Sequence, residues 1–151
     1  MPARISLMCG LPVTQHGVWA NNTNGNPELP NHVRNISEAG YRTSQIGKVH
    51  FYVRAKGDGH SRDFAHRMHD WGWEDSYELR DITAYTTADC YYTDFLEERG
   101  HLQILRDYMR TYVGGEAAGL LRPWETPPSL LPNDEDIDIF TARKSAEYIE
   151  N

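Results

Sequence analysis

Cysteine is scarce in this sequence: Cys9 and Cys90 are the only two in 151 residues. One pair allows at most one bridge, so a disulfide framework is excluded. Neither belongs to a Cys-x-x-Cys arrangement, which removes the footing for a redox or zinc reading. Both read as small buried hydrophobes. Long apolar runs are missing too. No stretch approaches the roughly 18 consecutive apolar residues of a membrane span, so no membrane partner is expected. The opening MPARISLMCG carries one positive side chain and passes straight into turn chemistry, a poor signal peptide. Positive charge is in deficit, with 15 Lys+Arg against 22 Asp+Glu and a net charge of -7. That balance speaks against nucleic acid as the main partner, yet it leaves room for a local basic pocket. What is present suits a packed α/β domain, or part of a larger one: 39% hydrophobic and 11% aromatic residues argue against disorder.

The run 3–9 is mostly apolar, preceded by Pro2 and stopped by Gly10 and Pro12, which predicts a helix. The Asn-, Gly- and Pro-rich stretch from Val13 to Pro30 predicts a long loop, a frequent carrier of function. A helix follows over 30–39, with Leu29, Val33 and Ile36 on one side and Gly40 as its stop. Residues 41–46 then read as a strand ending on Gly47, followed by a loop over 47–56 that carries Lys48 and His50. Helix, glycine, strand, glycine is an α/β pattern, and it predicts a parallel strand with a site at its C-terminal end. The stretch 57–89 has little periodicity and reads as an irregular insertion, with Trp71 and Trp73 pinning it down by packing rather than by stacking on a sugar. Further helices are expected over 93–99, closed by Gly100, and over 101–112, ended by Gly114-Gly115. The proline-rich RPWETPPSLLP predicts extended chain. A last helix is expected from a cap at Asn133, with Ile139, Ala142, Ala146 and Ile149 as its apolar face.

Few residues stand out chemically. Lys48 and His50 flank one valine, so in extended chain both side chains leave on the same side. An ammonium, an imidazole and the Arg4 guanidinium converging on one spot would hold the oxygens of a sulfate or phosphate. Histidine could also pass a proton to a leaving oxygen near neutral pH. Taken alone, Arg4 at the start of an apolar helix reads first as a side chain that reaches for solvent. His60, His66 and His69, interspersed with Asp58, Asp63 and Asp70, have spacings too irregular for a transition-metal site and read as a solvated loop. The acidic Asp134–Asp138 lacks an EF-hand's glycine and terminal glutamate; helix capping explains it.

Two ordered motifs resemble a known family. Pro2-Ala3-Arg4-Ile5-Ser6-Leu7-Met8-Cys9-Gly10-Leu11-Pro12, then His16-Gly17-Val18, is similar to the first signature of the formylglycine-dependent sulfatases. Gly40-Tyr41-Arg42-Thr43, followed by Gly47-Lys48-Val49-His50, resembles the second. The likeness continues more loosely through Trp71-Gly72-Trp73-Glu74, the segment Tyr92–Gly100 and residues 137–151. The resemblance implies an alkaline-phosphatase-like α/β domain with a mostly parallel sheet flanked by helices. These 151 residues would be its N-terminal part, truncated at both ends. It further implies that Arg4, Lys48 and His50 are catalytic, with Lys48 on a sulfate oxygen and His50 at the nucleophile. His16 and Asn22 would line the substrate pocket, although His16 is as readily a structural histidine.

The departures are informative. The family's nucleophilic cysteine stands two residues before the signature proline, so here it falls ahead of Met1. Cys9 takes a threonine position instead. The divalent cation of the family, usually calcium, has its ligands beyond this chain, so no metal site is expected within it. The implied function is hydrolysis of a small-molecule or saccharide sulfate ester by the full-length protein, with no activity in these residues alone. The same signatures also serve phosphonate monoester and phosphodiester hydrolases. A third reading is a non-catalytic anion- or glycan-binding remnant.

Overall fold

A computed structural model describes residues 1–55, 57–113 and 127–151. Helix α1 spans Pro2–Cys9, with the proline in its first turn and Gly10 in the left-handed conformation at its end. It buries Met1, Ile5, Met8 and Cys9 and leaves Leu7 exposed. Helix α2, Val13–His16, is a single turn inside the expected long loop. Helix α3 covers His32–Glu38 and starts two residues later than its sequence suggests, because the Asn31 side chain accepts from the Arg34 N–H and caps it. Val33 is buried on α3, whereas Ile36, expected beside it, is exposed.

Strand β1, Ser44–Gly47, pairs in parallel with β2, Asp75–Glu78, in register Ser44 to Asp75 and Gly47 to Glu78. The architecture is thus a short parallel two-stranded sheet flanked by helices, an α/β arrangement. The parallel strand expected near 41–46 is present. Its partner lies inside 57–89, the stretch read as irregular, which also holds a 3-10 turn at Ser61–Phe64, helix α4 at Ala65–His69 and a 3-10 turn at Ile82–Thr86. The reason for the difference is local: Asp-Ser-Tyr-Glu has one β-favouring residue in four, so pairing with β1 rather than propensity makes it a strand.

Helix α5 spans Tyr91–Glu98 and α6 spans Leu102–Tyr108, the latter running into a π turn at Met109–Val113. The Gly114-Gly115 stop and the proline-rich segment up to residue 126 lie outside the described residues. At the C-terminal side Asn133 opens a 3-10 turn, and Asp136, not Asn133, caps helix α7 over Ile137–Glu150 through the Asp138 N–H. The expected apolar face of α7 is also different. Ile139, Ala142, Ala146 and Ile149 are all exposed, and Phe140 is the residue buried.

Two cores result. Met1, Ile5, Met8, Val33, Phe51 and Trp71 belong to one; Leu79, Tyr85, Tyr92, Leu96, Leu105 and Phe140 belong to the other. Trp71 is buried with its ring centroid 4.9 Å from that of Phe51, so it packs. Cys9 and Cys90 are free thiols, one in each core. No described helix is long and apolar enough to cross a membrane.

Candidate functional site

The chain leaving β1 enters the first core through Val49, Phe51 and Tyr52, while the chain leaving β2 enters the second through Leu79. A cleft of about 690 Å³ opens at the C-terminal ends of both strands, between these segments. Lys48 and His50 both line it, joined by Tyr52, Arg54, Glu78, Arg80 and Asp81. A ligand-sized hollow beyond the ends of parallel strands is the ordinary position for a site in open α/β sheets.

The Lys48 ammonium is hydrogen-bonded to the Asp81 carboxylate, with both side chains more than a third exposed. That bond is the leading cause of an Asp81 pKa below the ordinary carboxylate value. The ammonium is therefore held at the cleft wall by a single partner and keeps donors for a second acceptor.

His50 is half-buried, and its imidazole is pushed below its usual pKa by that burial, then by the positive charges of the amino terminus and Lys48. Hydrogen bonding toward the Asn21 main chain and the nearby Asp81 carboxylate work in the opposite direction. The amino group of Met1 donates to Asn21 Oδ1 at 2.6 Å. Its own pKa is lowered by burial and by the fields of Arg4 and Lys48.

The other expected residues are placed differently. Arg4 is exposed on α1 and does not line the cleft. His16 lies buried, its Nε2 bonded to Ser6 Oγ at 2.8 Å and its Nδ1 accepting from the Val18 N–H at 3.1 Å. Both ring nitrogens are used to tie α1 to the following loop, so its position is that of a structural histidine. Asn22 is exposed, and its neighbour Asn21 is the residue that reaches the site. His60, His66 and His69 do not converge: His60 caps a 3-10 turn and bonds Asp94, while His66 bonds the Asp63 carbonyl. Among the described residues no group of three or more His, Cys, Asp or Glu side chains is placed to hold a metal ion.

Asp81 and Glu78 escaped the sequence reading for one reason. Without β2 on the map, nothing places residues 78–81 beside residues 48–50. Once two parallel strands are paired, the charged Glu78-Leu79-Arg80-Asp81 must emerge next to Lys48.

No family model matches this chain, and no curated protein or solved structure matches it. The residues and their geometry carry the functional argument alone.

The His50 shift has a measurable consequence. Because its folded pKa is depressed, the unfolded chain binds this proton first as pH falls below the ordinary 6.5. In that window protonation favours unfolding, so stability is expected to drop between pH 7.5 and 5.5. The His50→Gln variant, which cannot titrate there, should lose measurably less. Urea midpoints of both proteins at the two pH values test this, and equal losses would contradict it.

Proposed function

We propose that this chain is the anion-binding part of a sulfuric ester hydrolase domain of the alkaline-phosphatase-like class. Its substrate would be a small-molecule or saccharide sulfate ester. One observation carries the reading: Lys48 and His50 share a cleft at the ends of two parallel strands. In the resembling family the nucleophile stands just ahead of residue 1.

The chemistry these residues would supply is charge stabilisation and proton handling. Lys48 gives a positive charge to an ester oxygen that gains charge during attack, in a pocket where water screens it less than in bulk. Burial holds the His50 pKa below its ordinary value, and a dianion bound beside it would favour the protonated ring. It can therefore shift between accepting and donating a proton as the cleft fills. The described residues do not offer a calcium site, and a cation in the full-length protein would take its ligands from elsewhere.

Calorimetric titration of the 151-residue chain with inorganic sulfate at low salt tests the reading. Sulfate is expected to bind at one site, and Lys48→Ala should weaken it at least tenfold. No binding by the parent chain, or equal binding by the variant, would overturn it. Phosphate binding at least tenfold tighter than sulfate would replace it with the phosphonate or phosphodiester reading, since the two anions share tetrahedral geometry.

A further inference from the structure

His50 has φ of +63°, and it is the only non-glycine residue at positive φ among the described residues. Side chains on an L-residue crowd the backbone in this conformation, so it persists only where surrounding contacts enforce it. The contacts come from β2. Glu78, the last residue of that strand, is buried beneath the loop that follows β1. Its carboxylate accepts a hydrogen bond from the Tyr52 hydroxyl. One side chain thus fixes the loop two residues beyond His50.

A buried carboxylate is an expensive way to fill space, and burial is indeed the main cause of a raised Glu78 pKa. The positive groups facing it are Arg54, with Nη1 at 3.9 Å, and Arg80. Arg54 cannot swing away. It is held by Asp58 at 2.9 and 3.1 Å, by Ser61 Oγ and the Gly59 carbonyl at 3.2 Å each, and its guanidinium lies 3.9 Å from the centre of the Phe64 ring. Glu78 therefore sits against a fixed cation and is itself fixed. A leucine would fill the same volume but would leave the Tyr52 hydroxyl without an acceptor. The carboxyl group is there for its oxygens.

We propose that Glu78 is a positioning residue for His50: it clamps the loop after β1 from the end of β2 and so holds the imidazole in the cleft beside Lys48. The role rests on the reading of that cleft as an anion site. The role of Glu78 is to hold His50 in place, not to bind the anion.

Two variants of the full 151-residue chain test it, Glu78→Gln and Glu78→Leu, with circular dichroism to confirm folding. The readouts are the His50 titration followed by proton–carbon NMR and the affinity for inorganic sulfate. Glutamine keeps an acceptor oxygen, so sulfate affinity within about twofold of the parent is expected. Leucine should weaken sulfate binding at least tenfold and move the His50 pKa back toward 6.5. A folded leucine variant with the parental His50 titration and sulfate affinity would overturn the proposal. Should the leucine variant not fold, Tyr52→Phe decides, since it removes the same bond from the loop side. It is expected to weaken sulfate binding and to move the His50 titration in the same direction, and a folded Tyr52→Phe variant with parental values would overturn the proposal. If the parent chain binds no sulfate, the functional reading fails by itself, while the titration still judges the clamp.

Discussion

On the proposed hydrolase reading, Lys48→Ala is expected to lower kcat/KM toward a sulfate ester by about a hundredfold, or roughly 3 kcal/mol, the usual cost of losing one donor to an oxygen that gains charge in the transition state. The Lys48 ammonium is held by Asp81, at the edge of a cleft it shares with His50. Cys9→Ser is the matched comparison. Cys9 is buried in the first core, where its thiol is pushed to higher pKa by that burial, so it is a packing group and a poor nucleophile. Serine there should cost about 1 kcal/mol of stability and leave kcat/KM nearly unchanged. Steady-state kinetics on both, at equal folded protein, separates the roles. A Cys9→Ser loss as large as that of Lys48→Ala would overturn the assignment of both residues. A threefold or smaller effect at Lys48 would make it an ordinary surface charge.

Gly72→Ala is expected to be the most damaging single methyl group in the described structure, lowering stability by about 3 kcal/mol or more. Two costs add. Gly72 has φ of +94°, a conformation that opposes a side chain by roughly 1–2 kcal/mol. A Cβ there would also lie 2.7 Å from Arg34 Cα and 2.8 Å from Arg34 N, against the backbone of α3. Overpacking of this kind costs about 1–3 kcal/mol. Relief would require α3 to retreat, and that would stretch the Arg34 bonds to the Pro27 and Asp70 carbonyls, at 2.6 and 2.7 Å. Gly100→Ala is the control, since Gly100 has φ of +75° but open space where its Cβ would go. Only the conformational cost applies to it. Urea denaturation should show Gly72→Ala at least 1 kcal/mol worse than Gly100→Ala; equal losses would refute the clash.

Local chemistry was readable wherever a residue's neighbours in sequence were also its neighbours in space. Pro2 and Gly10 bound α1 because a missing N–H and a left-handed stop act within one turn. Likewise the Gly100 turn after α5 needs nothing from elsewhere in the chain. The α7 cap shows how far this goes: the acidic cluster did mark a helix start, but which acid served depended on the 3-10 turn at Asn133–Glu135. Glu135, in the stretch read as helix capping, is buried and bonded at 2.6 Å by His101 of another segment.

By itself the sequence determined the bounds of α1, the glycine stop after α5 and one strand with a glycine at its end. These follow from proline and glycine geometry, which spans a few residues. Only the tertiary structure decided that Asp-Ser-Tyr-Glu is a strand, that Asp81 reaches Lys48, that Glu78 lies under the loop after β1, and that α7 buries Phe140 while its regular apolar face stays exposed. Each depends on residues about 30 or more positions apart, or on which side of a helix meets the rest of the molecule. Hydrophobic periodicity records that a face is apolar, but not what lies opposite it. A polar strand gains its stability from main-chain bonds to a partner, and those bonds leave no mark on its own side chains.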